Sequence, residues 1–459
     1  MGRLSARGRG REGRGKGRAA ASFPACVRRL FAGGAGRRFR LLAGDTISRR
    51  DFMAGAAAAA GVWLIGQELF AAEEQPTTAA GPPVAIGVIG LGLQGRDLLA
   101  ALGKVPAAKV AAICDTYEPS IRRAAELAAG AATYTDYRQL LESKDVQAVI
   151  VATPTHRHRQ IVLDALQAGK HVYCEAPIAG TVDEAREIAR AGRDSKQVFQ
   201  VGLQLRADHL HRHVLKFVRT GVPGTLAMAR AQNNKKQSWK RMAPTPEREA
   251  ELNWRLQRAT STGLPGELGI HYFDLLNWYL DTRPVSVTGM GAITFYRDGR
   301  EVEDTVQCIF QYPGGMNAVY SATLVSSYDA SYQMLYGSDA TIMLKGQRSW
   351  MFKEADSPML GWEVYAHKEK IGDETGIALV ADATKIIQAG KEPGKEGMDE
   401  SKDALYYAME EFCHAIQTGQ APPADAVAGF QSAVTAIKAA EAVAAGGKVE
   451  FKPEWFELG

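Results

Sequence analysis

Between residues 84 and 203 short apolar runs alternate with stretches of helical period. The runs fall at 84–89, 110–114, 148–152, 171–174 and 198–201, and helical patterns such as 118–129 and 183–191 lie between them. Near-continuous apolarity marks strands buried on both faces, and 10 to 20 intervening residues allow crossover helices, so the pattern predicts a doubly wound parallel sheet. The rhythm changes after Leu203. Strand-like segments at 225–231, 285–296, 305–311, 317–324 and 332–335 are joined by turn signals, of which Pro313-Gly314-Gly315 reads as a hairpin connection. Helices are expected at 267–280 and 404–417, packed on an open, mostly antiparallel sheet. The predicted class is α/β, with a doubly wound domain over 82–203 and a second α/β domain with C-terminal helices over 204–459.

Charge changes the picture only at the N-terminus. The chain holds 55 Lys and Arg against 51 Asp and Glu, and 14 of the basic residues but only two acids lie in residues 1–50. The rest carries 41 basic against 49 acidic residues, so the basic balance belongs to the leader and argues for no nucleic-acid partner. Within that leader, Ser48-Arg49-Arg50-Asp51-Phe52 precedes a mild apolar run, 54–65, and small residues around Ala71-Ala72. This is the pattern of a twin-arginine signal over residues 1–76, which predicts engagement of the twin-arginine export machinery and a periplasmic or otherwise exported protein. The apolar run is too short for a confident span, so stable membrane insertion of the mature protein is not expected. Cys26 sits in the leader, and Cys114, Cys174, Cys308 and Cys413 show no C-x-x-C spacing, so neither a disulfide framework nor a structural metal site is predicted.

Candidate chemistry begins at the first strand. Gly90-Leu91-Gly92-Leu93-Gln94-Gly95 is a G-x-G-x-x-G turn after an apolar run. In that motif Gly90 makes the tight turn, Gly92 admits a pyrophosphate near the backbone, and Gly95 packs the helix whose N-terminus faces the phosphates, with Leu93 and Gln94 between them. Asp115 closes the second run twenty residues later, where a carboxylate accepts from a ribose 2′-hydroxyl and repels a 2′-phosphate. A Rossmann domain binding NAD rather than NADP is expected.

Thr153-Pro154-Thr155-His156-Arg157-His158 follows the run at 148–152, and Glu175-Ala176-Pro177 follows that at 171–174. With these segments the chain resembles the Gfo/Idh/MocA family, the glucose–fructose oxidoreductase and inositol dehydrogenase group, over nearly everything after the leader. The resemblance implies that Thr153, Pro154, His158, Glu175, Ala176 and Pro177 flank the nicotinamide half of the cofactor; a helix-surface residue is the competing reading of His158. The family's usual Glu-Lys-Pro has Ala176 in place of its lysine, and a methyl group neither donates a hydrogen bond nor stabilises a developing alkoxide. The resemblance also implies that Glu267 and His271 form an acid and histidine pair on one helical stripe with Asp274 and Trp278, opposite a core-facing stripe of Leu268, Tyr272, Leu275, Leu276 and Tyr279. His271 is then the general acid/base and Glu267 its support. Two readings compete: a metal held by the Glu-x-x-x-His pair, for which no third ligand has convincing spacing, and a plain solvated helix face.

Arg206 is expected to point into the cleft, Trp254 to offer an aromatic platform to a sugar, and Lys236 to replace the missing lysine. The expected activity is oxidation of a sugar, polyol or glycoside hydroxyl with a tightly held, recycled NAD. The alternatives are an NAD-dependent glycosidase or lyase working through transient oxidation, and a non-catalytic sugar-binding relic. A homo-oligomer formed through the open sheet face is implied by the resemblance alone.

Overall fold

The computed structural model describes residues 81–364, 366–380 and 402–459, all within the compact unit Ile65–Gly459. The export pattern at residues 46–72 lies outside the described residues. Six parallel strands form the first sheet: β1 (Val84–Ile89), β2 (Ala108–Cys114), β3 (Ala132–Tyr134), β4 (Ala148–Val151), β5 (His171–Cys174) and β6 (Phe199–Val201), in the order β3-β2-β1-β4-β5-β6. Strand order reverses between β2 and β4 on either side of β1, which opens a crevice at the carboxyl ends of these strands. Crossovers are made by α1 (Leu93–Leu102), α2 (Glu118–Ala125), α3 (Tyr137–Glu142), α4 (His158–Gln167) and α5 (Val182–Asp194). Strand β4 is fully buried, as its unbroken apolar run requires. Strand β3 was not expected from the sequence; its three residues include a polar and an aromatic one at the sheet edge, too few to make a pattern.

Helix α6 (His209–Arg219) leads into the second sheet. Its central strands are β7 (Leu226–Asn234), β8 (Ser286–Ala292), β9 (Thr305–Gln311), β10 (Asn317–Thr323) and β11 (Ser331–Gly337). Strands β12 (Ala340–Lys345), β13 (Arg348–Lys353), β14 (Lys368–Ile371), β15 (Glu374–Ala378) and β16 (Lys448–Glu450) complete ten, in the order β14-β15-β13-β12-β11-β7-β10-β9-β8-β16. Pairing is antiparallel except for β7 with β10. The turn at Gly314 and Gly315, with φ of 80° and 91°, joins β9 to β10 as a hairpin. Between β7 and β8 lie α7 (Pro246–Leu252), a π-helical turn at Pro265–Gly269 and α8 (Ile270–Leu280).

Two long helices end the described chain, α9 (Ala404–Thr418) and α10 (Ala426–Ala445). Sequence position assigns both to the second domain, but α9 belongs to the core of the first. Tyr406, Met409, Phe412 and Cys413 are buried in one cluster with Val84, Ile86, Val88 and Leu98. Gln200 donates to the Ala408 carbonyl at 3.1 Å, and Phe412 meets the Tyr173 ring edge-on at 5.8 Å. Helix α10 lies between the layers: Gly429 packs on Val201, and its far end closes on Gly289 of β8. Among the described residues, no helix is long and apolar enough to cross a membrane.

Candidate functional site

The three glycines of the turn after β1 divide their work as spacing predicts. Gly90 adopts a φ of +94°, and a Cβ there would stand 2.7 Å from the Ala152 backbone. A Cβ on Gly95 would stand 1.9 Å from the Gly90 carbonyl oxygen, so both positions exclude any side chain. At Gly92 the same Cβ direction meets nothing within 4 Å. This is also the N-cap of α1 and carries no side-chain cap, so the first N–H groups of α1 are left to an anion at the open position. Asp115 accepts from the Leu91 N–H and from the Tyr117 N–H, each at 2.8 Å, which ties the glycine turn to the end of β2. Leu93 is 55 % exposed at the rim, and Gln94 donates to Glu175 Oε1 at 3.0 Å. These residues fit a dinucleotide.

The loops after β4 and β5 meet through His158. Its ring is 1 % exposed, with Nδ1 3.1 Å from the Pro177 carbonyl and Nε2 2.9 Å from the Thr153 carbonyl. Burial lowers its pKa to about 4, so the ring is neutral and donates to one carbonyl at a time. Expected beside the nicotinamide, His158 instead fastens one loop to the other, because it begins α4 underneath them. The Thr153 hydroxyl is buried and has no partner among the described residues, leaving it to a ligand. Glu175 is 7 % exposed and accepts from Gln94, from Gln204 Nε2 at 3.2 Å and from the Ala176 N–H at 3.3 Å. Burial outweighs these donors and pushes its pKa up to about 7. A Cβ on Gly202 would stand 2.5 Å from Glu175 Oε2, so the backbone itself walls this carboxyl. Ala176 is half-buried and precedes a cis bond to Pro177.

On the second domain the regular stripe is broken. The turn Pro265–Gly269 is π-helical, packed against Thr262 by Gly266 and against Phe273 and Tyr320 by Gly269. Glu267, with a side chain only 3 % exposed, takes Arg255 Nε at 3.0 Å and Ser261 Oγ at 3.4 Å, and no hydrogen bond joins it to His271 among the described residues. Glu267 therefore positions Arg255 rather than the imidazole. His271 has a buried Nδ1 without a partner among the described residues, and burial lowers its pKa against the opposing charge of Asp274. The expected core-facing stripe is also incomplete, since Ile270, Phe273 and Asp274 are buried while Leu268, Tyr272 and Leu276 are only partly so.

The three expected substrate contacts separate. Arg206 does not enter the cleft; its guanidinium makes three hydrogen bonds of 2.8–3.1 Å to Asp274, with side-chain exposures of 13 % and 2 %. Lys236 is exposed and holds its ammonium 5.7 Å from the Phe295 ring centroid. The neighbouring Lys235 is the residue whose charge bears on Asp97 of α1. Trp254 packs beside the loop after β4: its ring lies 6.1 Å from that of His156 and 4.6 Å from the Arg255 guanidinium. His156 was missed by sequence reasoning. Its Nδ1 is buried without a partner and burial lowers its pKa, but an alternating Thr-His-Arg-His run gives no reason to prefer one histidine over the other. Glu267, Arg255, Trp254 and His156 thus form a continuous chain of contacts from the second domain to the loop after β4. No group of three or more residues suited to a metal ion occurs among the described residues.

Comparison with known proteins agrees with this geometry. Residues 84–203 match the oxidoreductase family with an NAD-binding Rossmann fold, and residues 211–343 match the GFO/IDH/MocA C-terminal domain. An inositol 2-dehydrogenase of Rubrobacter xylanophilus is 30 % identical over 249 residues, covering 53 % of this chain and 66 % of that protein. A 2,7-anhydro-N-acetylneuraminate hydratase of Mediterraneibacter gnavus is 25 % identical over 316 residues, 68 % of this chain and 80 % of that one. A levoglucosan dehydrogenase solved with NADH and L-sorbose shares the fold at a TM-score of 0.67 and 19 % identity, over 81 % of this chain and all of that one.

Proposed function

We propose an activity from one premise: the chain belongs to the Gfo/Idh/MocA family of oxidoreductases, and its Rossmann domain binds NAD. The substrate is a sugar, polyol or glycoside hydroxyl, in keeping with the cyclic polyols and sugars named for its relatives. The turn Gly90–Gly95 and the N-terminus of α1 would hold NAD, which when bound would supply the hydride chemistry at the substrate carbon. The proton is the protein's task. His271 carries this reading: its buried Nδ1 has no partner among the described residues, and burial keeps the ring neutral at neutral pH, so it is available to take a hydroxyl proton. Arg255, fixed by Glu267, and Trp254 offer a cationic and an aromatic wall to the substrate.

Ala176 supports the second reading, redox-neutral glycosidase or lyase chemistry, because without the lysine there is less to stabilise net oxidation of a free sugar. A relative named as a hydratase catalyses no net redox change by that name, which favours the same direction. Export by the twin-arginine route, proposed from Ser48-Arg49-Arg50-Asp51-Phe52, requires that the cofactor travel with the folded protein and be restored within each turnover. A homo-oligomer would cover the exposed Met290 and Ile309 on the open face of β8 and β9.

The test is mass spectrometry of small molecules released from denatured protein, with turnover assays lacking added NAD. About one dinucleotide per chain and activity without added NAD are expected. A stable apoprotein that works only with millimolar NAD, and accumulates NADH in step with product, refutes recycling and leaves a plain dehydrogenase. Replacing Arg49 and Arg50 by Lys should retain the protein in the cytoplasm; normal export of that variant refutes the signal.

A further inference from the structure

The segment after β7, residues 235–256, leaves the second sheet and lies along the nucleotide domain. Its own domain anchors it: the Lys235 N–H bonds the Thr323 carbonyl and the Gln237 N–H that of Leu324, each at 3.0 Å, Lys240 reaches the Asp298 carbonyl at 3.0 Å, and Arg300 bonds that of Ser238. Asn253, 5 % exposed, grips the Arg241 backbone from both sides, accepting from its N–H at 2.7 Å and donating to its carbonyl at 3.0 Å. Trp239 adopts a left-handed φ of 63°, a conformation that persists in a bulky residue only where the surroundings enforce it. The segment is a held strap.

Its contacts with the nucleotide domain lie at the two sides of the glycine turn. At the Asp115 side, Arg248 lies 4.7 Å over the Tyr117 ring and 3.5 Å from Thr116 Oγ1, and its Nε is buried without a partner among the described residues. At the other side, Trp254 meets His156 after β4. Arg241 precedes both contacts in the strap, and Asn253, next to Trp254, holds its backbone. Its side chain is exposed, yet no carboxylate pairs with it among the described residues. Partial burial lowers its pKa most, and the charges of Arg255, of Arg96 in the first turn of α1 and of Arg123 in the last turn of α2 lower it further. Arg255 is countered by Glu267 and Arg96 neighbours Asp97, whereas Arg241 has no carboxylate of its own among the described residues, and a polyanion placed beside it would supply that counter-charge.

We propose that the strap closes the outer side of the dinucleotide groove and that Arg241 binds the cofactor's pyrophosphate from the second domain. The inference rests on the NAD site at Gly90–Gly95 and gives bound cofactor a physical reason to stay. The α1 N-terminus holds the phosphates from one side; the Arg241 guanidinium, a charge-assisted donor, holds them from the other. The same chemistry would serve a 2′-phosphate, but Asp115 accepts at the ribose end and opposes one.

The experiment compares Arg241→Gln, Arg241→Lys and the strap control Met242→Gln, a neighbouring side chain that is 99 % exposed. Release of bound dinucleotide is followed after dilution into charcoal, and stripped protein is titrated with ADP, with adenosine and with 2′-phospho-ADP. Arg241→Gln should speed dinucleotide release and weaken ADP by about tenfold or more, leave adenosine unchanged, and be partly rescued by Arg241→Lys. The control should match the wild type. Thermal unfolding of the stripped Arg241→Gln protein should be unchanged or raised, because a repelling charge has gone; a purely structural arginine would lower it. Unchanged ADP affinity overturns the proposal, and so does a loss confined to 2′-phospho-ADP. Rapid release of dinucleotide by the wild type would instead count against cofactor retention, while an ADP effect in Arg241→Gln would still support the clamp.

Discussion

Replacing Arg206 by Met should act on stability before it acts on substrate. The guanidinium donates three hydrogen bonds to Asp274, lies 5.3 Å over the Trp278 ring, and reaches the Pro423 carbonyl at 3.4 Å. Asp274 also accepts from Ser432 of α10 at 2.6 Å, so the pair joins the segment after β6, helix α8 and helix α10. Without Arg206 the carboxylate stays 2 % exposed with one hydroxyl donor, and stranding a buried charge costs about 3–5 kcal/mol. That is a large part of the roughly 5–15 kcal/mol that holds a domain folded. In Arg206→Met with Asp274→Asn no buried charge remains, and Ser432 keeps its bond to the Ala428 carbonyl at 2.9 Å, so the double variant should recover about 2 kcal/mol or more. Urea unfolding of the four proteins of this cycle measures both quantities. An unchanged unfolding midpoint in Arg206→Met, together with a raised KM, refutes the reasoning and returns Arg206 to the substrate. A double variant as unstable as the two single losses combined refutes the coupling.

Further outcomes concern protons. His271→Asn should keep bound nucleotide while lowering turnover by roughly a hundredfold or more, and in the unmodified enzyme the acid limb of kcat/KM should fall below pH 6.5, since burial lowers the ring's pKa; full activity of the variant excludes His271 as proton carrier. Glu175, raised from 4.5 to about 7, binds more protons folded than unfolded, so stability should decline between pH 4.5 and 7 by about 3 kcal/mol, and Glu175→Gln should flatten that slope in pH-dependent unfolding. Asp304 has the opposite sign: burial opposes its ionisation, but the N–H groups of Thr294, Tyr296 and Phe295 outweigh it and hold the carboxyl at about 2. Its contribution of about 2 kcal/mol is present above pH 3.8 and lost as pH falls toward 2, and Asp304→Asn should remove it; acid unfolding that is identical in variant and wild type refutes this assignment.

The elements legible in the sequence are those whose signal is local. Strand β4 is a bare apolar run, and the glycine turn carries its geometry in three positions that admit no Cβ or need none. Helix α10 was not legible, because 13 of its 20 residues are buried and an alanine-rich helix covered on most sides has no amphipathic period to detect. The roles of Arg206 and Glu267 failed for a different reason. Their partners lie 68 and 12 residues away, and a helical wheel assumes a regular helix where the chain makes a π turn. His271 was singled out through the family resemblance rather than by spacing alone, and its buried nitrogen, unpartnered among the described residues, is visible only once the turn is folded.

The placement of α9 fixes when the nucleotide domain can be finished. Its last sheet strand ends at Val201, whereas the helix supplying Tyr406, Met409 and Phe412 to its core begins at Ala404. About 200 residues must be translated in the interval, which at ribosomal speeds takes about 10–40 s. During that time one flank of the nascent sheet presents uncovered apolar surface to chaperones. Any step that needs a completed nucleotide domain, cofactor loading included, is therefore a late event of biosynthesis rather than a co-translational one.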